Sequence, residues 1–379
     1  MPDWSFFMIE LLVGTYAVLT LLLWIFWKRI PVVYSSDEVP FPIISVIIPV
    51  RNEARYIESL LKDLNRQTYH SDLFEVWIVD DESSDGTPTL VEKFSKNASI
   101  SLKIITLSPT SGVSSPKKRA IQAALSQATG QLIVTTDGDC RVGPDWLSSI
   151  AECYRTTQAK LISGPVTFTA EGTLTDHLQT VEFSSLIGSG AAAIAAGSPS
   201  LCNGANLAYE KKTFEEVGGF TGNEHLASGD DEFLMHKIAA RHPGSVQFLK
   251  DPRSIVRTVP HTSWQGFYRQ RKRWASKWKH YKNPVSIALA LYVFACNAIL
   301  IAALGLGMFG FLSWPQVFVI LLTKSVPEWF FIGGVLSFLQ KQKSFIYIPL
   351  VQLIYPFYVT FFGLAVQKPT YIWKDRRLS

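Results

Sequence analysis

Residues 74–87 read FEVWIVDDESSDGT. A β-branched and aromatic run ends in two adjacent acids, Asp80 and Asp81. A Ser/Gly-rich turn follows, and Thr87 opens a helical pattern. Runs of this composition, bounded by turn residues, read as strands. The same grammar recurs on both sides. IISVIIPV (43–50) and QLIVTTDGD (131–139) are strand-like, and helical patterns cover Glu53 to Gln67, Thr87 to Lys96 and Lys117 to Ala128. Strands alternating with helices predict an α/β domain with a mostly parallel sheet over residues 40–282. Ligand-binding residues of such a sheet gather just beyond the C-terminal ends of its strands. Asp80, Asp81, Asp137 and Asp139 fall there.

The apolar content is concentrated outside this region. Hydrophobic residues make up 47% of the 379-residue chain, with clusters at both ends. Residues 5–27 carry one acid, Glu10, and are long enough to cross a bilayer. No small-residue cleavage site follows, so residues 1–30 read as an uncleaved anchor. Lys28 and Arg29 come at once and orient it N-out, leaving the middle of the chain cytoplasmic. Residues 285–379 form a second membrane region, with apolar stretches at 285–312, 315–339 and 345–366. Four spans would set the basic tail WKDRR (373–377) outside, against the positive-inside tendency. The weakest stretch, 315–339, contains Lys324, Pro327 and Glu328. Either it is broken or re-entrant, or the tail breaks the rule.

The net charge of +5, with basic residues beside apolar segments, suits membrane orientation and argues against a nucleic-acid partner. Cys140, Cys153, Cys202 and Cys296 form no metal or disulfide pattern, which fits a reducing cytosolic setting.

Three acidic motifs carry the chemistry. In VDDESSDGT (79–87), carboxylates suit hydrogen bonds from a base or ribose, or else serve the turn, with Asp85 or Thr87 as cap. In TTDGDC (135–140), Asp137 and Asp139 flank a glycine, an arrangement that attracts Mg²⁺ or Mn²⁺ bound to substrate phosphates. In ASGDDEFLMHKI (227–238), acids precede a helix, as dipole-favoured residues or as a general base. QRKRW (270–274) reads as orientation charges or as part of a site.

In this order VIIPVRNEA (46–54), VDDESSDGT, the Lys117 helix, TTDGDC, GDDEF and QRKRW resemble the motifs of family 2 glycosyltransferases. The last matches the Q-x-x-R-W signature of the membrane-integrated branch, which includes cellulose, chitin and hyaluronan synthases and glucosylceramide synthases. The resemblance covers residues 43–280. It implies a GT-A fold and metal-dependent, inverting transfer from a nucleotide-diphosphate sugar, with a UDP-sugar as expected donor and a β-linked product. Carried over, Pro49 and Glu53 lie against the nucleoside, Asp81 contacts base or ribose, and Asp137 lies near the ribose or metal. Asp139 binds the metal, Mg²⁺ or Mn²⁺. Lys117 falls in the family's Gly-Lys helix, although Pro116 stands where Gly is usual. Asp231 is implied as general base, with Asp230 its competitor. Gln270 and Arg273 contact the diphosphate, Trp274 lines the acceptor position, and Gly204 and Asn206 of CNGAN (202–206) belong to the acceptor side. Lys272, Lys277, Lys279 and Lys282 read as orientation charges, His261 as structural, and SLIGSGAAAIAAG (185–197) as a packed helix ahead of an interfacial one.

The expected protein is thus an integral enzyme of the plasma or inner membrane serving the cell envelope. Its partners would be the sugar donor, a lipid or glycan acceptor and membrane lipids. The few C-terminal spans favour a lipid or short-glycan acceptor over a processive polysaccharide synthase, though homo-oligomerisation would reopen the polymer reading. A non-catalytic scaffold would need a lost acid, yet Asp81, Asp137, Asp139 and Asp231 all stand. A transporter fits poorly, because the central domain outweighs the membrane portion.

Overall fold

A computed structural model of the chain describes residues 3–31, 40–108, 115–169, 172–224, 226, 228–276, 284–365, 371–373 and 376–378. Lys277, Lys279 and Lys282, Ala227 of the third acidic motif, and Lys374 and Asp375 of the tail lie outside the described residues. The chain forms two compact units, each discontinuous in sequence. A sheet unit takes residues 29–170, 193–260 and 378–379, and a helical unit takes residues 1–28, 171–192 and 261–377. The helical unit opens with α1 (Asp3–Arg29).

The strands of the sheet unit are β1 (Ile44–Val50), β2 (Phe74–Asp80), β3 (Ser101–Thr106), β4 (Leu132–Thr135), β5 (Leu161–Ser163), β6 (Val166–Phe168), β7 (Leu207–Glu210), β8 (Val246–Phe248) and β9 (Val256–Thr258). Seven of them make one sheet in the order β3-β2-β1-β4-β7-β5-β8. β3, β2, β1 and β4 are parallel, β7 runs antiparallel between β4 and β5, and β8 rejoins β5 in parallel. β6 and β9 pair separately. The sheet is therefore the mostly parallel one that the sequence predicts, of GT-A type. β2 is buried at every position because both faces are covered, whereas edge strand β3 alternates toward solvent. The helices of this unit are α2 (Ile57–Leu64), α3 (Thr87–Ser95), α4 (Pro116–Leu125), α5 (Trp146–Thr157), α7 (Lys211–Glu216) and α8 (Asp230–Arg241).

Acids at the two ends of the sheet do different work. Near the start of β2, buried Glu75 accepts hydrogen bonds from Ser45 Oγ (2.7 Å), Thr129 N (2.7 Å) and Lys103 Nζ (2.8 Å). It ties three strands to the turn before β4. Burial raises its carboxyl pKa, but the hydrogen bonds from Lys103, Thr129 and Ser45 bring it down to about 2.

The helical unit contains α6 (Leu174–Ala195) through residue 192, α9 (Trp264–Ser276), α10 (Pro284–Met308), α11 (Trp314–Phe338) and α12 (Ile348–Ala365). Among the described residues, four segments are long and apolar enough to cross a membrane: Phe6–Arg29, Ile287–Met308, Trp314–Phe338 and Gln342–Ala365. α11 runs unbroken through Pro327. Its charges are neutralised within the unit. Lys324 Nζ lies 2.7 Å from Glu328 Oε2, Tyr16 OH donates to Glu328 Oε1 at 2.7 Å, and Gln352 reaches the same carboxylate. Ion pairing of this kind is how charges survive at membrane depth. In the small-residue stretch of α6, a Cβ on Gly188 would lie 2.5 Å from Val335 Cγ2, so this helix packs closely on α11.

The linear reading runs the catalytic domain to residue 282, but residues 261–276 cluster with the helical unit. Phe267 meets Tyr358 and Phe362 of α12, and Arg271 pairs with Glu182 of α6.

Two outcomes are expected. Glu75 contributes stability above pH 4.5, the ordinary glutamate value, and loses it as pH falls toward 2. Unfolding measured against pH should show that acid arm flattened in E75Q. K324M should lose roughly 3 kcal/mol in thermal unfolding, because it strands a buried carboxylate, and K324M/E328Q should recover most of it.

Candidate active site

The loops after β1 and β2 are laced together. Asn52 and Glu82 both adopt left-handed backbone conformations, with φ of 55° and 59°. Ser83 Oγ accepts from Asn52 N (2.9 Å), and Ser84 N donates to Asn52 Oδ1 (2.8 Å). Asp85 accepts from Ala54 N and Thr87 N, both at 3.0 Å, so the turn explains this acid. Arg51 donates to the Asp81 carbonyl at 2.6 Å. Asp81 itself is buried. Pro49 lies beyond the last residue pair of β1 with β4, Ile47 with Thr135, so its missing N–H breaks no bond on that side. Glu53 flanks the next loop: a Cβ on Gly138 would lie 2.9 Å from both Glu53 Cγ and Val50 Cγ1. Glycine between Asp137 and Asp139 is therefore required for close packing.

The acids meet at one lysine. α4 begins at Pro116, in the first turn, where a missing N–H is harmless, and Lys117 follows. Lys117 Nζ lies 2.8 Å from Asp137 Oδ1 and 3.6 Å from Asp230 Oδ2. Burial lowers the ammonium pKa, but the charges of Asp137 and Asp230, the hydrogen bond to Asp137 and the charge of Asp231 hold it above the ordinary lysine range. Asp230 and Asp231 open α8, where the helix dipole favours them. Gly204 N donates to Asp231 Oδ2 (2.9 Å), and Glu232 N donates to Asp231 Oδ1 (2.8 Å), which fixes the carboxylate. A Cβ on Gly204 would stand 3.2 Å from Lys117 Nζ and 3.4 Å from Asp230 Oδ2. Lys117, Asp137, Asp230, Asp231 and Gly204 thus form one constellation at the ends of the strands.

Asn206 departs from expectation. It is 1% exposed, its Nδ2 donates to Pro165 O and Ser254 O at 2.9 Å each, and its Oδ1 accepts from Trp146 Nε1 at 3.0 Å. With its amide spent internally, it braces the sheet unit.

Asp139 Oδ2 accepts from Thr258 Oγ1 at 3.1 Å, while the Asp137 side chain is 41% exposed. Among the described residues no cluster of three His, Cys, Asp or Glu side chains could hold a metal. Two hard carboxylates would be a partial oxygen set, needing substrate oxygens to complete it. That set fits Mg²⁺ or Mn²⁺, which commonly use one or two carboxylates plus phosphate.

Gln270, Arg273 and Trp274 belong to α9 of the helical unit. Gln270 accepts from Arg271, and Trp274 stacks on Phe183 (5.8 Å) beneath the Arg271 guanidinium (4.4 Å). The buried basic residue of this motif is Arg271, bound to Glu182 through two hydrogen bonds.

Sequence reasoning passes over Lys118 and Thr258. Lys118 is buried, donates to the carbonyls of Asn223 (2.5 Å) and Leu226 (2.8 Å), and is drawn down to about 8 by burial. It anchors the segment leading to Asp230. Its signal was its place on the apolar face of α4 with Ile121 and Leu125.

The model of Glycosyl transferase family 2 matches residues 45–218, and that of Glycosyl transferase family group 2 matches residues 132–361. Glycosyltransferase AglE of Haloferax volcanii is 30% identical over 192 residues, which is 50% of this chain and 59% of the relative. Beta-monoglucosyldiacylglycerol synthase of Synechocystis is 28% identical over 120 residues, 32% of this chain and 24% of the relative. The chain therefore spans less than two thirds of each. The mannosyltransferase PcManGT from Pyrobaculum calidifontis, solved with GDP-Man and Mn²⁺, superposes with a TM-score of 0.56 at 20% identity, covering 91% of this chain and 99% of that one. It shares the fold.

K117M leaves the carboxylates without their shared counter-charge and, with the Asp137 side chain 41% exposed to screening solvent, should lower thermal stability by about 1 kcal/mol. Millimolar Mn²⁺ should restore part of that loss in the variant, read by thermal shift with and without chelator.

Proposed function

Because the chain belongs to glycosyl transferase family group 2, whose model spans more than half of it, we propose that it transfers a sugar from a nucleoside-diphosphate donor to a hydroxyl of a membrane-associated lipid. The transfer inverts the anomeric carbon. The observation that carries this reading is the strand-end constellation, in which Lys117 gathers Asp137 and Asp230 while two backbone N–H groups orient Asp231.

The nucleoside lies against the loops of Pro49, Glu53 and Asp81, and Asp137 and Asp139 face the diphosphate. Asp137 and Asp139 would hold Mg²⁺ or Mn²⁺, which would supply positive charge toward the departing diphosphate. Asp231 takes the proton of the acceptor hydroxyl. The acceptor oxygen forms its bond to C1 as the bond from C1 to the diphosphate oxygen breaks, and the nucleoside diphosphate leaves with the electron pair. Asp230, the α8 acid that pairs with Lys117 at 3.6 Å, acts with Asp137 as its counter-ion. Asp231 is the better base because its orientation comes from backbone N–H groups.

The sheet unit carries catalysis, and the helical unit carries membrane attachment. Lys28 and Arg29, at the C-terminal end of the first apolar helix, support a cytoplasmic sheet unit and an external N-terminus. The lipid acceptor is supported by those helices and by the relative whose name specifies a glucosyldiacylglycerol product.

Membranes containing the full chain are incubated with labelled nucleotide sugars and Mg²⁺ or Mn²⁺. Label should enter the organic-soluble fraction, fall by roughly 10²–10⁴-fold in D231N, and fall less in D230N. Undiminished transfer in D231N overturns its role as base. Label confined to high-mass polymer overturns the lipid acceptor.

A further inference from the structure

The helical unit contains a cavity of about 430 Å³ between α6, the start of α9 and α12. That volume lies within the ~300–1,000 Å³ typical of small-molecule sites. Its walls are mostly aliphatic and aromatic, with Leu178 and Phe267 on one side and Val351, Tyr355 and Phe362 of α12 on the other. Its rim is apolar and uncovered. Trp264 is 70% exposed, Phe357 and Phe361 are each 51% exposed, and Ile354 is 45% exposed. These α12 residues lie within the apolar segment Gln342–Ala365, so the mouth of the cavity is continuous with a surface suited to hydrocarbon. An apolar rim of this kind marks an interaction site, and hydrocarbon is the partner that a spanning helix meets.

The polar end of the cavity is specific in charge. Glu182 is already neutralised by Arg271 and accepts a further hydrogen bond from Tyr358 OH (2.9 Å). Gln179 is spent on the backbone of His261, donating to its carbonyl (3.0 Å) and accepting from its N–H (3.2 Å). His261 Nε2 is buried and has no hydrogen-bond partner. Burial and the charges of Arg271 and Arg273 lower the imidazole pKa, against a hydrogen bond with Gln270 that raises it. Among the described residues, no lysine or arginine lines the cavity. A phosphate head group would find no cation there, whereas a hydroxyl would find an imidazole nitrogen.

We propose that this cavity binds one alkyl chain of an uncharged, hydroxyl-bearing membrane lipid, entering laterally past Phe357 and Phe361, with the hydroxyl-bearing end at His261. Identifying that lipid as the acceptor rests on the function proposed above; the binding itself does not.

The full chain is reconstituted in phosphatidylcholine nanodiscs without any sugar nucleotide. It is irradiated with diacylglycerol or phosphatidic acid carrying a diazirine on one acyl chain, and labelled peptides are mapped. Diacylglycerol should label residues 261–267 and 351–362, about tenfold less when unlabelled diacylglycerol competes. V351W, which fills the cavity, should reduce this labelling similarly while leaving the exposed Leu291 region of α10 unchanged. Phosphatidic acid should label the same peptides more weakly.

Labelling that unlabelled lipid does not displace, and that V351W does not change, would show only annular contact and overturn the proposal. Phosphatidic acid labelling as strongly as diacylglycerol would overturn the head-group assignment. Where V351W fails to yield monodisperse protein, I354W replaces it, and competition in the unaltered chain decides by itself. Because no donor is present, failure here leaves the transferase reading standing, and failure of transfer leaves the labelling result standing.

Discussion

One half-buried ammonium organises the sheet unit. Asp137 comes from the loop after β4 and Asp230 and Asp231 from the start of α8, while Lys117 comes from the first turn of α4. Carboxylates brought this close repel one another unless a cation stands between them. Lys117 supplies it, 2.8 Å from one acid and 3.6 Å from another. The glycines follow from this demand. Gly204 clears room beside the ammonium, and Gly138 lets the Asp137 loop press against Glu53. Lys118, one residue on, turns into the protein and pins the segment that delivers Asp230. One turn of helix therefore holds both the charge of the site and the position of its acids.

The helical unit applies the same rule. Lys324 and Glu328 are both buried and would be costly singly, and become a fastening when paired and bonded to Tyr16. Glu182, Arg271 and Tyr358 repeat it among α6, α9 and α12. Neutralised pairs leave no net charge in the lining of the neighbouring cavity, which suits that cavity to an uncharged ligand. The arginine that does this belongs to the QRKRW stretch, whose Arg271 is a strut by its burial and its partner.

Much of the sheet unit was legible in the sequence, because buried parallel strands read as continuous β-branched runs, and because acids at their C-terminal ends have few structural uses. Element boundaries were less so. The helix expected from Glu53 begins at Ile57, since Asn52 and Ala54 are committed to the neighbouring loop. The strand expected through Asp139 ends at Thr135, freeing the acids for a loop. The antiparallel insertion of β7 has no local signature, because pairing direction is decided by partners distant in sequence. Asn206 looked like a site residue from its motif, and three buried hydrogen bonds reveal it as a brace. The membership of residues 171–192 and 261–276 in the helical unit was hidden for the same reason: the aromatic and ionic contacts that place them lie far along the chain.

The roles assigned to the acids separate binding from chemistry, and equilibrium binding tests that separation most directly. A nucleoside-diphosphate sugar is titrated into the purified full chain in the presence of Mn²⁺, for the unaltered protein, D139A and D231N. The account predicts that D139A loses at least about tenfold in affinity, while D231N binds the donor as tightly as the unaltered chain. Donor binding that survives D139A and is lost in D231N would contradict it.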